Sequence, residues 1–181
     1  MENSKKTHVF AAVRSNEEFL FALTCEVETI FMLCANIDQI FGQVKLAHQK
    51  GKKVFVHIDL AEGIGKDAYG VKYLKKQGVD GIISTKTSMI KFAKKEGLVT
   101  VQRFFIVDSK SIDTTMDAIA QSKADMIEIM PGLLYKVIGD LKNKLNTPIV
   151  AGGLIQEKEE VEKAILSGAY AVSTGKSSLW R

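Results

Sequence analysis

Short apolar runs recur along the chain at regular intervals, separated by stretches that are polar on one face. The runs are continuously apolar rather than alternating, which is typical of strands in a parallel sheet that is covered on both sides. They predict eight strands, at His8–Val13, Thr29–Ala35, Lys53–Leu60, Gly81–Lys86, Val99–Val107, Met126–Met130, Pro148–Gly152 and Ala171–Thr174.

The stretches between these runs have the periodicity of amphipathic helices. They predict seven helices, beginning near Ser15, Asp38, Asp67, Ser88, Ser109, Gly132 and Gln156. Ser15 followed by Glu18 is typical of a capping box at the start of the first helix. Glycines fall where helices should stop, shortly before the next strand, at Gly51, Gly78, Gly97 and Gly168.

Strands alternating with helices predict an α/β fold, a compact (β/α)8 TIM-type barrel formed by a single domain of residues 1–181. A doubly wound flavodoxin-like or Rossmann-like sheet is the alternative, and the lack of a G-x-G-x-x-G motif after the first strand disfavours it. Few residues follow Thr174, so we expect a truncated eighth helix. We expect Leu179 and Trp180 to plug the thin wall that this leaves, and a partner subunit of a homo-oligomer to cover it.

Composition sets limits on the class of protein. The net charge of +4 and the charged fraction of 25% are ordinary for a globular protein. The polar N-terminus and the lack of an apolar run long enough to span a bilayer predict a cytoplasmic protein with no membrane partner. Two cysteines and three scattered histidines match no metal spacing, so we expect reduced, structural thiols and no metal site.

The ends of the last two strands carry the clearest chemical signal. In (β/α)8 barrels the loops after strands seven and eight commonly form a phosphate site. Glycines there let backbone N–H groups approach an anion, and hydroxyls add side-chain donors. The sequence therefore predicts a phosphate site formed by Gly152, Gly153, Ser173, Thr174 and Gly175.

Charged side chains also lie near the ends of other predicted strands: His57, Asp59, Lys86, Arg103 and Glu128. The C-terminal strand ends of a barrel converge on one pocket, so we expect these groups to surround the polar part of a small anionic ligand. His57 and Asp59 are two apart, which would turn both to the same side of one strand. The alternative is structural: a buried Arg103–Glu128 pair and a histidine satisfied within the core.

Positive charge is concentrated in residues 45–103, which hold thirteen basic and five acidic residues, a net charge of +8. Lysines spaced four apart share a helix face, as Lys72 does with Lys76 and Lys91 with Lys95. If the third and fourth helices are neighbours, they form an exposed basic patch suited to an RNA backbone, an alternative to ordinary solvated surface. The candidate RNA-binding residues are Lys72, Lys75, Lys76, Lys91, Lys94 and Lys95.

Six motifs in order resemble the glycerol uptake operon antiterminator family, over nearly the whole chain from Val9 to Trp180. They are His57–Gly63, Asp80–Lys86, Gln102–Ser109, Ile127–Gly132, Ala151–Ile155 and Ala171–Gly175, with Leu179–Trp180 after them. The resemblance implies a barrel without catalytic residues that responds to glycerol 3-phosphate. It also implies action on the leader mRNA of glycerol-utilisation genes, where such proteins prevent premature termination of transcription.

By position, the resemblance implies that the two glycine loops hold the phosphate of glycerol 3-phosphate and that the charged strand-end residues surround its glycerol part. No cofactor besides this effector is expected. A phosphate-handling barrel enzyme of the aldolase or isomerase type is the alternative. In that case Lys86 would form a Schiff base or Glu128 would abstract a proton. A scaffold with a remnant pocket is the third interpretation.

Overall fold

A computed structural model describes residues 8–181, so the first seven residues of the predicted 1–181 domain lie outside the described part of the chain. All eight strands are parallel and close into one barrel in chain order, with β8 paired to β1. The predicted barrel is confirmed. The strands are β1 Val9–Val13, β2 Thr29–Met32, β3 Lys53–His57, β4 Gly81–Ser84, β5 Val99–Phe105, β6 Met126–Met130, β7 Ile149–Gly152 and β8 Ala171–Thr174.

Among residues 8–181, seven α-helices follow the first seven strands. They are α1 Asn16–Ala22, α2 Ile40–Gln49, α3 Ala68–Lys76, α4 Thr87–Lys95, α5 Ser109–Ser122, α6 Tyr135–Lys144 and α7 Lys158–Leu166. Several strands end earlier than predicted, because apolar residues continue into the loops. The clearest case is β3, which ends at His57 and gives way to a 3₁₀ turn over Ile58–Leu60.

The predicted helix ends are largely confirmed. The Ser15 hydroxyl accepts a hydrogen bond from the Glu18 N–H at 3.1 Å, as an N-cap should. The return bond of a capping box is different, because the Glu18 carboxylate accepts from the Arg14 N–H at 2.6 Å and not from Ser15. Positive φ angles at the four predicted stops explain why glycine is used there, at Gly51, Gly78, Gly97 and Gly168.

The core has an inner part and an outer shell, as a barrel requires. The inner part is filled by large apolar side chains that point into the barrel, among them Phe31, Phe55, Ile83, Val101 and Val150. The outer shell lies between the strands and the helices, and consists of two clusters on opposite sides of the barrel. Because side chains alternate along a strand, the residue two beyond each inner apolar residue faces the C-terminal mouth of the barrel.

The eighth helix is truncated, as predicted, to a 3₁₀ turn over Ser177–Leu179. Trp180 follows it and is fully buried, with its ring 6.1 Å from that of Phe21. The Trp180 Nε1–H donates to the Thr174 carbonyl at 2.8 Å. Residues of this same chain therefore bury the tryptophan plug. Cover of this wall by a partner subunit stays a prediction.

None of the helices among residues 8–181 combines the length and the apolar character needed to cross a bilayer.

Replacing Trp180 tests its role as the plug. Trp180→Ala is expected to lower the free energy of unfolding by about 3–5 kcal/mol, because it leaves a large cavity and removes one hydrogen bond to the Thr174 carbonyl. Trp180→Phe keeps most of the ring and should cost less. Urea unfolding measures both, with Leu166→Ala at the exposed end of α7 as the control. A loss no larger than that of the control would contradict the assignment.

Candidate ligand-binding site

The C-terminal mouth of the barrel carries the polar residues that strand alternation turns inward. Arg103 lies two residues after the inner Val101, and His57 two residues after the inner Phe55. Glu128 pairs in register with Arg103, and Ser173 pairs with Gly152. β5, β6 and β8 thus bring a guanidinium, a carboxylate and a hydroxyl to the same level of the barrel. β7 lies between them and contributes Gly152, which has no side chain.

A buried carboxylate joins these strands. The Arg103 Nε–H donates to Glu128 Oε2 at 2.6 Å, and the Ser173 hydroxyl donates to Glu128 Oε1 at 2.5 Å. Glu128 has no exposed surface, so these donors compensate for the cost of burying its charge. Within residues 8–181 the terminal nitrogens of Arg103 donate no hydrogen bond. Those nitrogens therefore remain available to a ligand.

Gly152 leaves room for this carboxylate. A Cβ atom built on Gly152 would collide with Glu128 Oε1 and the Ser173 hydroxyl. The predicted reason for a glycine here was the close approach of an anionic ligand to the backbone. The structure gives a different reason: the anion against Gly152 is the protein's own glutamate.

The hydroxyls of the predicted phosphate site are already used. Ser173 donates to Glu128, and the Thr174 hydroxyl donates to the Ile155 carbonyl at 2.7 Å and accepts from the Lys176 N–H at 3.0 Å. In this arrangement both hydroxyl protons bind protein acceptors, so donation to a phosphate would require each hydroxyl to give up such a bond; that these two residues hold a phosphate stays a prediction. Their bonds tie β8 to β6 and to the loops after β7 and β8.

Backbone N–H groups remain as donors in the two glycine loops. Those of Gly153 and Gly175 donate no hydrogen bond within residues 8–181. Gly153 has a φ of +76° and the following Leu154 a φ of +63°, a region that a bulky residue rarely adopts. Such strain at a strand end, beside free N–H groups, is typical of a functional loop.

Arg14 is the site residue that the sequence analysis missed. It follows β1 directly, and its Nη2 lies so close to Gly175 that a Cβ there would collide with it. No acidic side chain of the described chain pairs with its guanidinium. A signal was present, since Arg14 stands at a C-terminal strand end, as the five predicted residues do. Arg14 and the free N–H of Gly175 together form a positive corner of the mouth, at the ends of β1 and β8.

His57 is a neutral group at the edge of this mouth. It is 4% exposed, and its Nδ1 is buried without a hydrogen-bond partner in the described chain. Burial, assisted by the nearby Arg103 charge, lowers the pKa of His57 to about 4. Its Nδ1 lies 4.0 Å from Asp59 Oδ2, too far for a hydrogen bond. A ligand hydroxyl could supply the missing partner.

Asp59 is not on the same strand as His57, contrary to the prediction, because it lies in the 3₁₀ turn after β3. Its carboxylate accepts from the Ser84 hydroxyl at 2.8 Å and from the Thr85 N–H and hydroxyl at 2.8 and 3.0 Å. Burial raises the pKa of Asp59, but these hydrogen bonds outweigh burial and hold that pKa below its usual value. Asp59 therefore acts as a clamp between the turns after β3 and β4.

Lys86 stands apart from the other predicted residues. It is exposed and forms the N-cap position of α4, one residue beyond Thr85. Glu128 binds both Arg103 and Ser173, and His57 lies 4.0 Å from Asp59. Within residues 8–181 the Lys86 side chain forms no hydrogen bond or ion pair with any of these residues.

The predicted basic patch lies on neighbouring helices, because α3 and α4 pack side by side. Lys94 is committed to an ion pair, with its Nζ 2.9 Å from Asp125 Oδ1. The other candidate lysines are exposed: Lys72, Lys75, Lys76, Lys91 and Lys95. The patch therefore presents five lysines to solvent on the outer wall of the barrel, away from the mouth.

The opposite end of the barrel has a cavity of about 400 Å³, lined by residues at the strand starts that include Lys53, Asp80 and Tyr170. Asp80 there accepts the Val54 N–H at 2.8 Å and lies 2.9 Å from His48 Nε2. Such bonds hold the strand starts together, as expected for the stability face of a barrel. Among the described residues, no three His, Cys, Asp or Glu side chains converge as metal ligands would.

The sequence profile of one family matches residues 9–180; that family is described as the glycerol-3-phosphate responsive antiterminators. The chain belongs to this family. It is 40% identical over 177 residues to YgcP of Escherichia coli strain K12, an uncharacterized protein, covering 97% of this chain and 93% of that one.

Solved structures agree with the family. The antiterminator-family chain matches the glycerol uptake operon antiterminator regulatory protein of Listeria monocytogenes with a TM-score of 0.91 and 32% identity, over 99% of this chain and 97% of that one. It matches an antiterminator-related protein of Thermotoga maritima with a TM-score of 0.86 and 28% identity, over 96% and 98%. An aldolase, QR15, at 16% identity and a TM-score of 0.77 over 99% and 94%, shares the fold.

The low pKa of His57 predicts how the stability of this antiterminator-family chain depends on pH. Below about pH 6.5 the unfolded chain binds a proton at His57, whereas the folded chain does so only near pH 4. Stability is therefore complete above pH 6.5 and falls on acidification, by about 2 kcal/mol between pH 7 and pH 5.

His57→Gln should remove this part of the pH dependence of the free energy of unfolding, measured by urea unfolding at each pH. His8→Gln, at the other end of the barrel, is the matched control and should keep it. If both variants follow the slope of the unsubstituted chain, His57 is not held neutral by the fold.

Proposed function

We propose that this chain is an RNA-binding transcription antiterminator that binds glycerol 3-phosphate and regulates glycerol-utilisation genes through their leader mRNA. It acts in the cytoplasm, where those transcripts are made. It uses no cofactor and catalyses no reaction. The ligand changes RNA binding by preferring one conformation of the loops at the mouth of the barrel.

The observation that carries the ligand assignment is the positive corner at the ends of β1, β7 and β8. The Arg14 guanidinium lies against Gly175, and the free N–H groups of Gly153 and Gly175 belong to the two loops that bind phosphate in many barrels. A phosphate dianion would receive charge-assisted hydrogen bonds from all three. The glycerol hydroxyls would then face the Arg103 nitrogens and His57 Nδ1, which lack protein partners in residues 8–181.

The aldolase or isomerase alternative has less support from the same geometry. Both oxygens of Glu128 already accept hydrogen bonds, from Arg103 and Ser173, so this carboxylate is poorly placed to abstract a proton. Lys86 is exposed at the start of α4 and lacks the desolvated setting that activates a Schiff-base lysine.

Glycerol 3-phosphate should raise the melting temperature by several degrees, and glycerol or inorganic phosphate alone by much less. Binding at a hundredfold excess over Kd stabilises the folded state by about 2.7 kcal/mol, and each kcal/mol shifts the melting temperature by about 2–4 °C. Arg14→Ala should abolish most of the shift, because it removes the cation at the phosphate. Gly153→Asp should do the same by bringing a carboxylate against the phosphate.

Lys158→Ala, an exposed cation at the start of α7, is the matched control and should respond to glycerol 3-phosphate as the unsubstituted chain does. A full shift in the Arg14 variant would contradict the site assignment. Lack of a shift with any of the three compounds would contradict the effector.

The exposed lysines of α3 and α4 are proposed to contact the RNA backbone. Lys72→Glu combined with Lys76→Glu should weaken RNA binding and flatten its dependence on salt, since fewer counterions are released. Lys136→Glu with Lys144→Glu changes the charge equally on exposed positions of α6 and is the control. Equal salt slopes for the two double variants would show that the patch is ordinary surface.

A further inference from the structure

Two aromatic side chains are exposed beside the basic patch. Tyr69, in the first turn of α3, is 81% exposed, and Phe41, in the first turn of α2, is 58% exposed. Such exposure excludes a core role for either ring.

The two rings lie on the same side of the barrel, near its C-terminal end. The Tyr73 hydroxyl donates to the Ile37 carbonyl at 2.9 Å, which joins α3 to the loop before α2. Tyr69 precedes Tyr73 by one helical turn, and Phe41 follows Ile37 by a similar distance. Both helices run downward from the mouth, so both rings stand near its rim, Tyr69 on the helix that carries Lys72 and Phe41 on α2.

This wall is strongly positive. Residues 67–96, from the N-cap of α3 to the C-cap of α4, contain seven lysines and three acids, Asp67, Asp80 and Glu96; the Asp67 carboxylate accepts the Tyr69 and Gly70 N–H groups, and that of Asp80 accepts the Val54 N–H. The Lys72 Nζ lies 5.8 Å from the centre of the Tyr69 ring, a cation–π distance. From Lys72 to Lys76, and from Lys91 to Lys95, the charges advance about 6 Å along each helix axis. An exposed ring with cations beside and below it is complementary to a nucleotide, with its flat base and charged phosphate.

We propose that Tyr69 and Phe41 form a stacking platform for unpaired nucleotides of an RNA single strand, while the lysines of α3 and α4 bind the phosphates between them. The inference rests on the RNA binding proposed above and adds the form of RNA that is bound. Aromatic rings stack on a base only when its face is free, whereas duplex RNA offers this wall only its backbone. The surface therefore distinguishes unpaired from paired RNA.

The platform is tested by measuring the binding of two fluorescent RNA probes. One is a single strand of about 12 nucleotides, a length within the range that single-strand-binding domains cover, and the other is a duplex of the same length. Anisotropy is measured with and without glycerol 3-phosphate. Tyr69→Ala should weaken single-strand binding at least about fivefold, since stacking is worth about 1–3 kcal/mol per base. It should leave duplex binding unchanged. Tyr69→Trp should restore the single-strand affinity.

Tyr170→Ala removes an exposed tyrosine at the other end of the barrel and is the control, expected to bind both probes normally. Unchanged single-strand binding by Tyr69→Ala, with the Lys72/Lys76 double variant impaired, would overturn the platform and leave the RNA proposal standing. Equal weakening for both probes would also overturn it. Failure of the unsubstituted chain to bind either probe would overturn both proposals.

A second copy of the chain is the other class of partner that an exposed aromatic surface attracts. Sedimentation velocity of Tyr69→Ala and of the unsubstituted chain tests for such a dimer. A dimer that Tyr69→Ala converts to monomers, with RNA binding unaffected, would assign the rings to a subunit interface and overturn the platform. We expect Tyr69→Ala and the unsubstituted chain to sediment with the same coefficient.

Discussion

The mouth of the barrel is organised around the buried carboxylate of Glu128. A charge with no exposed surface is tolerated only where hydrogen bonds and an opposite charge compensate for lost water, and Arg103 and Ser173 provide these from strands on either side of β6 and β7. The bond to Ser173 crosses over β7, which is why β7 ends in a residue without a side chain. One carboxylate thus fixes the relative positions of four consecutive strands at the level where a ligand would bind.

The remaining charges of the mouth follow from this arrangement. Arg103 uses its Nε on the glutamate and keeps its terminal nitrogens, while Arg14 has no acidic partner in the described chain. His57 is kept neutral by burial and by the Arg103 charge, so it does not compete with the arginines for an anion. Cationic groups of the described chain thus lie in two places, the two arginines in the mouth and the exposed lysines of α3 and α4 on the outer wall.

The barrel was predictable because its strands are apolar throughout and its helices end at glycines that adopt positive φ. The site was predictable only as a set of strand ends. Apolar residues continue past His57 into the 3₁₀ turn Ile58–Leu60, so the apolar run predicted a longer β3 and placed Asp59 on that strand. Glycine and hydroxyl residues indicate a binding loop, but they do not indicate which acceptor each hydroxyl meets. The Thr174 hydroxyl donates to a carbonyl of the preceding loop, after β7. Arg14 was missed because a single exposed arginine resembles ordinary surface.

The glycines of the mouth also constrain how this sequence can change over time. Gly152 is in contact with Glu128, and Gly175 with Arg14, so a methyl group at either glycine would displace a charged side chain. A larger residue at position 152 is compatible only with a shorter one at 128, because Glu128 is fully buried and held by two hydrogen bonds, whereas the exposed Arg14 side chain can move away from a larger residue at 175. Positions 152 and 128 can therefore change only together, through a first substitution that impairs the mouth until the second arrives. Position 175 can change alone, at the cost of displacing the Arg14 guanidinium.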